Sequence, residues 1–186
     1  RLRPYGRAGQ LVHSVSGLVD YYQSAASPWE IQALLKMRAV AGSVELGRRF
    51  LDGVKNLFQQ ERPAAEVAAA IRDMRSRAHR SRPSLGRQRT DVKNGVGGIR
   101  EVEFLVQALQ LIHAARYPSL VGANTLNALE RLAATGIVAE EAADELRADY
   151  LFLRKVEHYL QIFEDRQTHM LPGDPAELEA LGKRVL

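Results

Sequence analysis

Cysteine is absent from all 186 residues, so disulfides, thiolate chemistry and cysteine-held metals are all excluded. That absence fits a reducing compartment, and the cytoplasm is the expected location. Long apolar runs are missing too, and no stretch approaches the roughly 20 residues needed to span a bilayer. The opening "RLRPYGRAGQ" has no apolar core of the kind a secretory leader carries. The five histidines (His13, His79, His113, His158, His169) lack metal-ligand spacing, so no metal centre is expected. No serine sits in a nucleophile elbow. Aromatic residues are scarce at 6%, and Trp29 and Tyr21-Tyr22 read as core rather than as base-stacking platforms. Heptad arrays, solenoid repeats and low-complexity tracts are also lacking.

What remains is an ordinary globular composition, 46% hydrophobic and 26% charged, enough for one sizeable domain or one domain with a remnant of another. The chain opens on Arg1 rather than methionine, and "RLR" alternates like the end of a strand, so a piece of a longer protein is expected. Net charge is +4, with seven arginines against one aspartate between Arg72 and Arg89. Such a block could attract phosphate, nucleic acid or an acidic surface. No nucleic-acid motif accompanies it, and a solvated helix end running into a loop is the simpler reading.

Arg1 to Arg3 and Gly9 to Val15 read as short β runs separated by Pro4, Gly6 and Gly9, consistent with a hairpin. After them, every strong signal is helical. Ser27-Pro28-Trp29-Glu30 combines a serine cap, proline at the first helical position and glutamate at the third. Arg62-Pro63 opens an alanine-rich helix that ends before Pro83. Asn124 caps a helix closed by Gly136, and Asp174 caps another near the C-terminus. The longest helix is expected from about Ala139 to Arg166, with Leu146, Tyr150, Leu153, Val156, Leu160 and Phe163 as its apolar stripe. Arg154, His158, Gln161 and Asp165 make a second, polar stripe on it.

The stretch "DVKNGVGGIREVEF" (91–104) is unusual in two respects. Gly95, Gly97 and Gly98 crowd a helix start, where they would leave backbone N–H groups uncovered. That suits an anion helped by Lys93 or Arg100. On the helix that follows, Arg100, Glu103, Gln107 and Gln110 share one side, and Glu101 lies roughly 160° from its middle. Glu101 should therefore face the interior or a cleft and need an arginine, backbone N–H groups or a metal. Glu103 points elsewhere, so the two glutamates cannot act as a pair. The alternative is a tight interhelical turn with Glu101 in a structural ion pair. No strand-like run precedes the glycines, so neither a Walker loop nor a dinucleotide fingerprint is present.

Taken in order, "RLRPYGRAG", "WEIQALLKMRAVAG", "KNGVGGIREVEFLVQALQL", "FLRKVEHYLQ" and "DRQTHMLP" resemble the glutamine synthetase adenylyltransferase/adenylyl-removing family, from Arg1 to about Pro172. The resemblance implies AMP transfer from ATP to a tyrosine of glutamine synthetase in one half of the parent. It implies phosphorolytic removal in the other half, under control by PII signalling proteins and glutamine. Each half of that parent pairs a polymerase-β-type nucleotidyltransferase domain with a helical domain. The implied fold here is mainly α: a helical bundle (27–186) carrying a short N-terminal β remnant of the catalytic domain (1–26).

The family's metal-binding aspartates lie upstream of "RLRP", so Mg²⁺ and ATP belong to the parent, and this chain alone is not expected to catalyse transfer. By resemblance, Arg1, Arg3, Lys93 and Arg100 bind nucleotide or phosphate, with Glu101 and Glu103 as auxiliary catalytic candidates. A competing reading is a non-catalytic module that docks glutamine synthetase or PII through Arg154, His158 and Asp165. "GGIREVEF" and "DRQTHMLP" resemble the removing half more, while "QALLKMRAVAG" resembles the transferring half at least as much. The half stays open.

Overall fold

The computed structural model describes residues 4–80, 91–164 and 168–186. Eight α-helices run through these residues: α1 (Val15–Ser24), α2 (Pro28–Leu34), α3 (Val44–Phe58), α4 (Ala64–Arg80), α5 (Ile99–His113), α6 (Thr125–Ala134), α7 (Glu140–Glu164) and α8 (Pro175–Val185). Polar caps set most of the boundaries. The Glu30 carboxylate takes both the N–H and the hydroxyl of Ser27, at 2.9 and 2.7 Å, just before Pro28. Asn124 accepts from the N–H of Asn127, and Asp174 from those of Ala176 and Glu177.

The expected β remnant is not found among the described residues. Among the described residues there is no strand, only an isolated antiparallel bridge between Asp91 and Met170. Tyr5 and Gly6 turn left-handed, residues 6–8 form a 3₁₀ turn, and Leu11 and Val12 stay exposed with no strand among the described residues beside them. A strand needs a partner for its backbone groups. Ser14 instead accepts from the N–H of Gly17 and starts α1, whose Tyr21 and Tyr22 enter the core. Arg1–Arg3, all of the arginine block beyond α4, and Asp165 lie outside the described residues.

The core has three clusters. Tyr21, Tyr22, Leu34, Phe50, Val54 and Leu57 unite α1 to α3, with Val67 of α4 and Leu111 of α5 added. Val106, Leu120, Leu129 and Leu132 join α5, α6 and the turn between them, and Ala143 of α7 completes that cluster. Val92, Val156, Leu160, Leu181 and Val185 bind the glycine turn to α7 and α8. Helix α5 touches α2, α4, α6 and α7, so both of its sides are covered. Its polar side is interior: Gln107 accepts from Gln32 at 2.6 Å, and Gln110 donates to the carbonyls of Leu120 and Gly122. These pairings satisfy amides that would otherwise be costly to bury.

Candidate functional site

The glycine turn is built almost entirely from its own backbone. Asp91 Oδ1 accepts the N–H groups of Lys93 and Asn94 at 3.0 and 2.8 Å. The N–H of Gly95 reaches the Asp91 carbonyl at 2.7 Å, and those of Ile99 and Arg100 reach Val92 and Lys93 at 3.0 and 2.9 Å. A Cβ on Gly95 would stand 2.4 Å from the Asp91 carbonyl oxygen, and Gly97 has φ +71°. The glycines therefore permit close backbone approach and a left-handed turn. They do not leave a row of free N–H groups, contrary to the sequence-based expectation. The Gly97 N–H donates to Glu101 Oε2 at 3.0 Å, while Glu101 Oε1 lies 2.5 Å from the Arg75 guanidinium. The carboxylate at this helix start is the protein's own, held by an arginine and a backbone N–H.

The turn is fastened to the segment after α7. The N–H of Val92 donates to the His169 carbonyl at 2.9 Å, next to the Asp91–Met170 bridge. This brings Lys93 and His169 onto Glu157, whose side chain is only 5% exposed. Lys93 Nζ and His169 Nδ1 lie 3.1 and 3.3 Å from Glu157 Oε1, and Arg154 Nη1 donates to Oε2 at 2.8 Å. A carboxylate this buried is tolerated only with such partners.

A second polar group adjoins the first. The Lys36 ammonium donates to Thr125 Oγ1 at 2.6 Å and lies 4.0 Å from Glu103 Oε1, which also accepts from the Tyr150 hydroxyl at 3.0 Å. Burial lowers the Lys36 pKa, with Glu103 opposing and Arg154 adding to the shift. Burial and the charge of Glu103 raise that of Tyr150, while Arg154 lowers it. Arg154 thus acts electrostatically on both groups.

Of the residues singled out from the sequence, Lys93, Glu103 and Arg154 share this polar seam. Glu101 sits on the Arg75 side. Arg100 is half-buried, bonded through its backbone N–H to the Lys93 carbonyl, and His158 is exposed. Arg1, Arg3 and Asp165 lie outside the described residues. Sequence reasoning missed Lys36, Tyr150, Glu157 and His169. Glu157 did carry a signal, because it falls on the apolar side of α7 between Leu153 and Leu160.

Among the described residues no group of three or more His, Asp or Glu side chains could hold a metal ion. Glu101, Glu103 and Glu157 already face cations or a phenol, so these residues do not fit a divalent cation. No helix of the described residues is long and apolar enough to cross a membrane. The seam sets Lys36, Lys93, Arg154 and His169 against two carboxylates.

A family model described as glutamate-ammonia ligase adenylyltransferase matches residues 1–53, and one described as GlnD PII-uridylyltransferase matches residues 65–185. Similar relatives are bifunctional glutamine synthetase adenylyltransferase/adenylyl-removing enzymes. That of Streptomyces avermitilis is 42% identical over 99% of this chain, that of Mycobacterium avium 43% over 92%, and that of Stenotrophomonas maltophilia 40% over 97%. The chain spans 18%, 17% and 19% of those relatives, less than a fifth of each.

Proposed function

The chain belongs to the glutamine synthetase adenylyltransferase/adenylyl-removing family, and on that premise we propose that it is the helical companion of a nucleotidyltransferase domain. In this reading the parent moves AMP from ATP to a tyrosine of glutamine synthetase, removes it by phosphorolysis, and answers to PII. Mg²⁺ is held by aspartates that are not among these residues. Residues 1–26 are the C-terminal edge of the nucleotidyltransferase domain and 27–186 the helical domain, with Arg1 and Arg3 binding nucleotide or phosphate. Lys93 and Arg100 attract phosphate, Glu103 and Glu101 brace the start of α5, and His158 and Asp165 contribute to docking on glutamine synthetase.

The observation that supports this reading most is convergence. Four segments of the chain supply Lys36, Lys93, Glu103, Arg154, Glu157 and His169 to two polar groups that Arg154 links electrostatically. A helical bundle has no packing need for so many charges in one place, whereas a face turned toward a phosphate-bearing cleft does.

The test compares this chain with one extended upstream through the catalytic domain. Each is incubated with glutamine synthetase, Mg²⁺ and ATP labelled at the α-phosphate, and with adenylylated synthetase plus phosphate. AMP transfer by the extended chain alone is the expected result, and the active direction names the half. A folded extended chain that moves no AMP in either direction would defeat the proposal.

A further inference from the structure

Glu157 gathers more positive charge than it cancels. Its Oε1 is met by Lys93 and His169, and its Oε2 by Arg154, so two permanent cations from different elements are held side by side on one carboxylate. Both keep spare donors. The ammonium has three N–H groups and the guanidinium five, and one contact from each goes to Glu157. Both are also accessible, at 33% and 49% exposed, above a carboxylate that is not. Their backbones are anchored, Lys93 in the Asp91 turn bonded to His169 and Arg154 within α7. The neighbouring carboxylate, Glu103, is met by Lys36 and Tyr150.

We propose that Lys93 and Arg154, joined through the two oxygens of Glu157, form a binding site for a phosphoryl oxyanion, with Glu157 as its positioning residue. The ligand class follows from the donors. A tetrahedral dianion offers several acceptor oxygens and can bridge two cations that keep N–H groups beyond those given to a shared carboxylate. This rests on the reading that the chain serves a nucleotidyltransferase, and it adds Arg154 and Glu157 to the residues that handle phosphate. The phosphoryl group could be free phosphate or belong to a nucleotide.

The 186-residue chain is titrated with inorganic phosphate and separately with metal-free ATP, following Lys and Arg side-chain NMR signals. Saturable shifts at Lys93 and Arg154 are expected with at least one anion, and the two anions compete if both bind. Lys93→Gln and Arg154→Gln each weaken binding by about tenfold, the size expected for one charge-assisted hydrogen bond. Arg48→Gln, on the exposed face of α3, leaves it unchanged.

Glu157→Gln is the discriminating variant. It raises the positive charge of the chain, so general attraction predicts tighter binding, whereas positioning predicts about tenfold weaker binding with Glu157→Asp partly rescuing it. The proposal is overturned if neither anion binds, if binding ignores Lys93→Gln and Arg154→Gln, or if Glu157→Gln binds more tightly. Lys93 and Arg154 are part-exposed, so their variants keep the test decisive even if Glu157→Gln fails to fold. Binding by this chain is read independently of AMP transfer by the extended one, so either result can fail alone.

Discussion

Gly95 and Gly97 look interchangeable in the sequence, yet they constrain the turn differently. Gly97 is left-handed with open space around the missing Cβ, so Gly97→Ala meets only backbone strain, about 1–2 kcal/mol. A Cβ on Gly95 would sit 2.4 Å from a backbone oxygen, one that accepts the hydrogen bond of Gly95 itself. Gly95→Ala should therefore cost clearly more than Gly97→Ala, because relief requires breaking the turn. Thermal melts of the two variants check the order, and equal losses would mean the turn yields easily. The same scale shows where sequence reasoning reaches its limit. Glu101 was legible because it places a charge where a helix should be apolar, and Glu157 carries the same signal although it was missed. Lys36 and Tyr150 are not, because their partners lie 89 and 47 residues away and nothing local marks the pairing.

Helices were the legible part of the fold, since Ser27, Asn124 and Asp174 write their starts into the sequence. Helix α1 was not, because Leu11, Val12 and Val15 form a short β-branched and apolar run after Gly9 until Ser14 is seen to cap. Helix α3 escaped for a different reason: Gly53 lowers its local propensity while letting α1 approach. A Cβ there would meet Val19 Cγ2 at 2.6 Å, and the Gly53 carbonyl accepts from Gln23 at 2.9 Å. Gly182 in α8 makes the contrast. It is helical, and a Cβ there would have nothing within 4 Å. Gly182→Ala should stabilise the chain by about 0.5–1 kcal/mol, since only backbone entropy changes. A rise in melting temperature is expected, whereas Gly53→Ala should lower it. A fall for Gly182→Ala would mean that α8 needs freedom at that position.

Over the whole molecule, ionisation links the clusters to pH with signs that can be worked out. Burial alone would raise the pKa of Glu30, but hydrogen bonds from the Ser27 hydroxyl, the Ser27 N–H and Tyr21 hold it below the ordinary 4.5. The folded state therefore binds fewer protons than the unfolded one near that pH. Stability from Glu30 is present above about 4.5 and is lost as pH falls through the folded value.

At the alkaline end the tyrosines run the other way. Tyr21, Tyr22 and Tyr150 are all raised above 10.0, chiefly by burial, with Glu30 or Glu103 adding to it. The unfolded chain releases their protons first, so stability falls above about pH 10. Lys36 opposes this, because its lowered pKa makes the unfolded chain the better proton binder up to 10.5. Three tyrosines against one lysine leave a net decline. Urea unfolding across the pH range should give a plateau with losses at both ends. Tyr21→Phe should flatten the alkaline limb, and Glu30→Gln should flatten the acid limb while lowering the plateau. Tyr21→Phe also removes a donor at 2.8 Å from Glu30, so it must steepen neither limb while shifting the acid one upward in pH. An alkaline limb unchanged in Tyr21→Phe, Tyr22→Phe and Tyr150→Phe together would show that these phenols are not what the folded core keeps protonated.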